Sequence, residues 1–241
     1  MTEKKDDHKH THDHTHEPVE FIEFDFTAWT EDGKLFDTTI SDAARASGIE
    51  MEKELKPITT PLSPDFMLPG LYNLLKDKKP GKYETMLEPK DAFGKKDPKK
   101  MKLMNLSQFK KHDVNPQVGM DVEVNDMRGI VRSVSSGRVL VDFNHPMAGR
   151  TLKYEVYYRS IIDDPVLKLT SLLSLTLRIP ESLYSIDYNA ENKKAVLKLK
   201  IPPLPPEIES EIIHMAEGMI AELDGLVLEY ESKNTTLNQD N

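Results

Sequence analysis

The chain has no cysteine among its 241 residues. That absence excludes disulfides, thiolate metal sites, iron–sulfur clusters and cysteine nucleophiles, and it leaves the redox compartment open. Long apolar runs are missing as well, since nothing approaches the roughly 18–20 consecutive apolar residues a membrane helix needs. The first stretch carries histidines but no apolar h-region, so no secretory signal is expected. Nor is there a cationic excess: 41 acidic against 32 basic side chains give a net charge of −9, which argues for solubility and against general affinity for nucleic acid. The expectation is a cytoplasmic chain with neither a membrane nor a nucleic-acid partner. At roughly 100–200 residues per domain it has room for more than one core.

What is present falls into blocks. Residues 1–17 hold no apolar side chain after Met1 and are read as a disordered tail. His8, His10, His12, His14 and His16 alternate within it. Imidazoles at every second position can collect on Ni(II), Zn(II) or Cu(II), which makes the tail the metal candidate; nothing else in the chain requires a cofactor. Structure begins at 19–29, rich in aromatic and β-branched residues, followed by the turn Glu31-Asp32-Gly33-Lys34 and a second strand through Leu35 and Phe36, which spells a β-hairpin. Residues 42–56 have helical composition, 60–64 are extended because each proline restricts its predecessor, and 66–76 read as a short helix with Pro69 near its start. Residues 79–82 are a turn, and a strand over 83–88 closes this part.

Residues 90–111 are dense in lysine and read as a solvated connector. Three strand-like runs at 121–124, 129–134 and 138–143 predict a small all-β module, and 151–162 one long strand. From residue 163 the order becomes helix (166–177), two strands (183–188, 195–201), a stiff connector (202–206), an amphipathic helix (207–223) and a final strand (225–231). The second helix aligns Ile208, Ile212, Met215, Met219, Ile220 and Leu223 on one face. An α-β-β-α-β order predicts a small α+β domain at 164–232, before a polar tail at 233–241. A domain of that size has little room for its own core, so a homodimer through it is the oligomer to expect.

The order of local motifs carries a resemblance. The Asp-Gly hairpin, Phe36-Asp37-Thr38, Pro69-Gly70 at a helix start, Glu88-Pro-Lys-Asp-Ala-Phe-Gly94, a β insertion, then Asn144-His-Pro-Met-Ala-Gly-Arg-Thr-Leu152 together resemble an FKBP-type peptidyl-prolyl isomerase. More narrowly, the chain is similar to the long archaeal, SlyD-like branch with an insert-in-flap domain. The likeness spans residues 19–163 and is most specific from Val118-Gly-Met-Asp to the return motif. It implies an α+β fold: a curved antiparallel sheet around a short helix (18–98 and 147–163), interrupted by a small all-β insert (99–146) and followed by the C-terminal domain.

The resemblance also implies a site and partners. Asp37, Phe36 and Phe93 take the family's catalytic positions, and Phe26, Met67, Leu68, Leu71 and Tyr154 its proline-ring cup. Unfolded or proline-containing polypeptides are the partners it implies. In such proteins the insert holds unfolded chains on an apolar surface, for which Met101, Leu103, Met104, Leu106, Phe109, Met120 and Met127 are the candidates, with Met147 beside them. Five residues depart from the family pattern. Phe26 and Phe93 occupy usual tyrosine positions, Ala28 a common glycine, Thr60 an aromatic wall position, and Leu71 replaces a larger aromatic ring. Such losses leave a catalytically weak or silent pseudo-isomerase, acting as a holding chaperone or peptide-binding adaptor, as the alternative reading. His145, a lone histidine before a proline, reads as a loop or hydrogen-bonding residue rather than a ligand, and His112 and His214 carry no pattern.

Overall fold

The computed structural model describes residues 17–49, 54–125 and 127–231; His8, His10, His12, His14 and His16, and the C-terminal tail, lie outside them. In chain order the elements are β1 (Phe21–Thr30), β2 (Leu35–Thr38), α1 (Ser41–Ala46), β3 (Ile58–Pro61), α2 (Pro69–Leu75) and β4 (Gly81–Leu87). Then come β5 (Met101–Asn105), α3 (Leu106–Lys110), β6 (Asp121–Val124), β7 (Met127–Ser135), β8 (Arg138–Asp142) and β9 (Leu152–Ile162). The last stretch holds α4 (Pro165–Thr176), β10 (Tyr184–Asn189), β11 (Lys194–Leu199), α5 (Pro206–Met219) and β12 (Gly225–Tyr230). The architecture is α+β. The chain divides into two compact units, Phe24–Ile58 with Met67–Tyr158, and Met1–Glu23 with Thr59–Phe66 and Arg159–Asn241.

In the first of these, β1 and β2 form the hairpin that the Asp-Gly turn predicts. Gly33 takes φ +81°, which a residue with a Cβ rarely adopts; the Thr30 N–H donates to the Lys34 carbonyl (2.9 Å) and the Thr30 carbonyl accepts from the Gly33 N–H (2.8 Å). The register places Thr27 opposite Thr38 and Ala28 opposite Asp37, then slips before Trp29. Strand β4 runs antiparallel to β9 from Gly81↔Tyr158 to Leu87↔Leu152, within a sheet ordered β2-β1-β9-β4. The helix expected over 42–56 is shorter: α1 stops after Ala46, because Gly48 at φ +73° turns the backbone and Ile49 closes onto the Ala44 carbonyl.

The inserted segment is a four-stranded sheet in the order β5-β8-β7-β6. Two expectations are corrected here. The lysine-rich stretch is not all connector, since Met101 to Asn105 pair with β8 from Asp142 to Arg138. Nor is the insert all-β: α3 follows directly, with the Asn105 N–H donating to the Gln108 side-chain oxygen at its start (3.3 Å). That helix turns Phe109 into the core formed with Val122, Val131, Val139 and Val141, so Phe109 is buried rather than on a client face. Gly129 lets the Phe143 and Val141 side chains approach to 2.7 Å of where a Cβ would stand.

A buried charge ties the segment leaving for the insert to the one returning from it. The Asp142 carboxylate accepts from Lys96 Nζ (2.9 Å), Arg132 Nε (3.1 Å) and the Asn144 backbone and side-chain nitrogens (3.0 and 2.8 Å). Asn144 in turn accepts from the Asp97 N–H (2.8 Å) and donates to the Asp97 carbonyl (3.1 Å). Burial opposes ionisation of Asp142, yet these donors outweigh it and hold the carboxyl far below the ordinary carboxylate range.

The other unit contains the sheet β10-β11-β12, with β10 antiparallel and β12 parallel to β11, packed with α4 and α5. Pro206 opens α5, whose Ile212, Ala216 and Met219 join Phe21, Leu169, Leu173, Leu197, Leu199 and Ile220 in one core. Ile208, expected on that face, lies in the first turn of α5 and is 36% exposed. Lys168 is buried and reaches Glu222 at 2.7 Å with its ammonium over the Phe21 ring.

Replacing Asp142 by alanine should cost about 2–3 kcal/mol of stability by denaturant titration, the moderate range because Lys96 and Arg132 are 43% and 40% exposed and can rehydrate. A depressed native pKa confers stability that is present above the unfolded value near 3.9 and is lost as pH falls. The wild type should therefore weaken below about pH 4, and Asp142→Ala should lose that part of the acid dependence.

Candidate functional site

Four aromatic side chains from separate segments meet in one chain of rings. Phe26 on β1 and Tyr154 on β9 are buried, with centroids 5.7 Å apart. Phe36 on β2 stands edge-on to Tyr154 (6.1 Å, 80°) and to Phe93 (6.3 Å, 78°). Edge-to-face geometry at these distances is the favoured arrangement of aromatic quadrupoles. Leu71 is buried in α2; Met67 and Leu68 are half-buried at its head, where the Leu68 carbonyl accepts from Leu71 and Tyr72. Thr60, read as a departure from a wall position, is a buried residue of β3.

The placement of Phe26 and Phe36 rests on the two residues after Asp37. Thr38 Oγ1 donates to the Phe26 carbonyl (2.9 Å), packs against Thr27 Oγ1 (3.0 Å) and accepts from the Ile40 N–H (3.0 Å). Thr39 Oγ1 accepts from the Phe26 N–H (2.9 Å) and donates to Asp25 (2.8 Å). Both backbone groups of Phe26 are thereby held; on β2, Phe36 is half-buried, and Asp37 is open to solvent along part of its side chain while its carboxylate lies near enough to the Tyr154 phenol to act on its ionisation. On α2, Gly70 allows close approach: a Cβ there would overlap the Leu87 side chain and stand 2.9 Å from the Asp91 carbonyl.

The electrostatics follow from desolvation. Partial desolvation of the carboxyl pushes Asp37 up from its ordinary value, tempered by the Thr38 backbone. Burial, then the negative charge of Asp37, pushes the Tyr154 phenol well above its ordinary range. The phenol is thus a permanent donor near a carboxylate acceptor, in otherwise apolar surroundings. Among the described residues no cluster of three or more His, Asp or Glu could hold a metal.

His145, expected as a loop or hydrogen-bonding residue, is one, and it also makes a ring contact that the sequence did not signal. Its imidazole lies flat on the Phe93 ring, centroids 4.0 Å apart and planes 5° from parallel. The only cue in the sequence was its place in the return motif. On the insert, Met101 (37%), Leu103 (59%), Met120 (39%) and Met127 (49%) are exposed, whereas Met104 and Leu106 lean on the insert core and Phe109 is inside it. Met104, Val114, Met120 and Val124 line a groove of about 750 Å³ there.

Comparison with known proteins bears on both segments. The family described as FKBP26, IF domain, matches residues 102–147. The chain is 33% identical over 106 residues to a probable FKBP-type 16 kDa peptidyl-prolyl cis-trans isomerase of Pseudomonas fluorescens, across 42% of this chain and 69% of that protein. It is 26% identical over 132 residues to a short-type peptidyl-prolyl cis-trans isomerase of Methanocaldococcus jannaschii (54% and 84%). It is 29% identical over 141 residues to the FKBP-type 16 kDa peptidyl-prolyl cis-trans isomerase of Escherichia coli strain K12 (56% and 88%).

Because the obstacle at Gly70 is partly backbone, Gly70→Ala should force α2 away from Asp91 and cost about 1–3 kcal/mol in denaturant titration. By contrast Gly94→Ala, which meets nothing within 4 Å, should cost only the strain of its φ of +74°.

Proposed function

The chain belongs to the FKBP-type peptidyl-prolyl cis-trans isomerases, and on that premise we propose that the rings of Phe26, Phe36, Phe93 and Tyr154 wall the pocket in which it turns X–Pro bonds. The observation that carries this reading is the convergence of those four rings beside Asp37.

The barrier to be lowered is roughly 18–20 kcal/mol and comes from amide resonance. The planar imide is more polar than its twisted transition state, so an apolar, water-excluding wall favours the twisted form without a nucleophile, an acid or a metal. The proline ring would lie against Phe26 and Tyr154, with Leu71 beneath and Met67 and Leu68 at the rim. Asp37 would orient the backbone before the proline. Phe26 and Phe93 bring no hydroxyl, which leaves Tyr154 as the ring with a polar group. Each missing hydrogen bond to substrate is worth about 1 kcal/mol, or up to about tenfold in rate.

The insert would act before the pocket. Its exposed Met101, Leu103, Met120 and Met127 form an adaptable apolar face for unfolded polypeptide, and capture there raises the local concentration of prolyl segments at the pocket. Placement in the long archaeal SlyD-like branch rests on the insertion point and the return motif, and the match over 102–147 supports it.

Proline-limited refolding of an unrelated protein tests both parts, since the uncatalysed phase takes tens to hundreds of seconds. Catalytic amounts of the wild type should accelerate it, and Asp37→Ala should lose about tenfold or more. Leu103→Ser combined with Met127→Ser should lose acceleration on the protein while turning a short prolyl peptide at the wild-type rate. Equal losses on both substrates would reject capture by the insert, and no acceleration by the wild type would reject the pocket.

A further inference from the structure

His145 and Phe93 are each held by their own backbone surroundings. Gly94, next to Phe93, donates to the Pro89 carbonyl (2.7 Å) and accepts from the Gly149 N–H (2.8 Å). His145 sits in a turn closed by Ala148 N–H to its carbonyl (2.9 Å), and its Nδ1 accepts from the Met147 N–H (3.2 Å). One residue earlier, Asn144 is tied to Asp97 and Asp142. The imidazole is therefore aimed rather than loosely draped, and the ring it faces stands edge-on to Phe36.

We propose that His145 is a positioning residue for the isomerisation: its stack on Phe93 holds in place a pocket wall that has no hydroxyl to anchor it. This rests on the pocket assigned above. A phenylalanine at position 93 can be fixed only through its faces and edges. Phe36 takes an edge contact and His145 a whole face, so the Phe93 ring is oriented by packing where a tyrosine could use a hydrogen bond.

The device works with a neutral imidazole. Nδ1 is an acceptor for Met147, so a proton there removes the bond that orients the ring. An imidazolium would keep a cation–π attraction for Phe93 but not that bond. The charged side chains on the segments around it are Lys95, Lys96 and Asp97 before the insert, Asp142 at the end of β8, Arg150 after the insert, and Asp37 beyond Phe36. Asp142 is already engaged by Lys96 and Arg132, and burial alone pushes the imidazole down from its ordinary value. A group with a lowered pKa stays neutral at pH 7 and takes up a proton only as pH falls below the usual imidazole range near 6.5.

The test is kcat/KM on a short prolyl peptide, measured between pH 5 and 8 with the full chain. Wild type, His145→Ala and His145→Phe are compared, with thermal melts to check folding. His145→Ala should lose about three- to tenfold at pH 7.5, mostly in kcat. His145→Phe should restore activity to within about threefold, and its profile should stay flat where the wild type declines toward pH 5. If His145→Ala does not fold, the phenylalanine variant decides through its pH profile. Wild-type activity in His145→Ala, or an acid decline in His145→Phe that follows the wild type, overturns the proposal. An inactive wild type instead rejects the pocket assignment on which it rests.

Discussion

The register of β1 against β2 is the constraint on which the site depends. Thr38 and Thr39 bond to the carbonyl and N–H of Phe26, and through the hairpin they set where Phe36 and Asp37 emerge. A slip of one residue would send Phe36 to the opposite face, away from Tyr154 and Phe93, since strand side chains alternate. Each bond contributes only about 1 kcal/mol of stability, but together they choose one register from several of similar hydrophobic burial. The Asp-Gly turn performs the same selection from the other end, with Gly33 taking the backbone conformation the hairpin demands.

Around that hairpin the chemistry requires very little ionisable machinery. Isomerisation makes no covalent bond and moves no proton, so what matters is dryness and stillness. The burial that excludes water from Phe26 and Tyr154 also raises the pKa of Asp37 and of the Tyr154 phenol. One physical cause thus preserves a donor in apolar surroundings and tunes the carboxylate beside it. The insert connects to this region through a different kind of contact. Asp142 gathers Lys96, Arg132 and Asn144, and the residue after Asn144 lies on a ring of the site. The charge cluster and the stacked pair are consecutive on one short segment of chain.

Much of the fold was legible because its signals are local. The hairpin announced itself through aromatic alternation and an Asp-Gly turn, α2 through Pro69, and α5 through apolar residues at helical spacing after Pro206. The lysine-rich stretch misled for a physical reason. β5 is half open to solvent, so Met101 and Leu103 stay exposed between lysines and no apolar alternation appears. Its partner β8 lies far along the chain, and pairing rather than propensity makes it a strand. Phe109 looked like a surface hydrophobe in that lysine context until α3 turned it inward.

By itself, the sequence determined which residues could form an aromatic site and in what order they occur. Turn chemistry, proline placement and short motifs act over a few residues, and their information is complete locally. Only the tertiary structure decided that Tyr154 reaches both Phe26 and Phe36, that Asp142 is neutralised by cations from two segments, and that His145 lies flat on Phe93. Ring contacts and ion pairs depend on distances of a few ångströms between segments far apart in the chain, and those distances exist only once the sheet has closed.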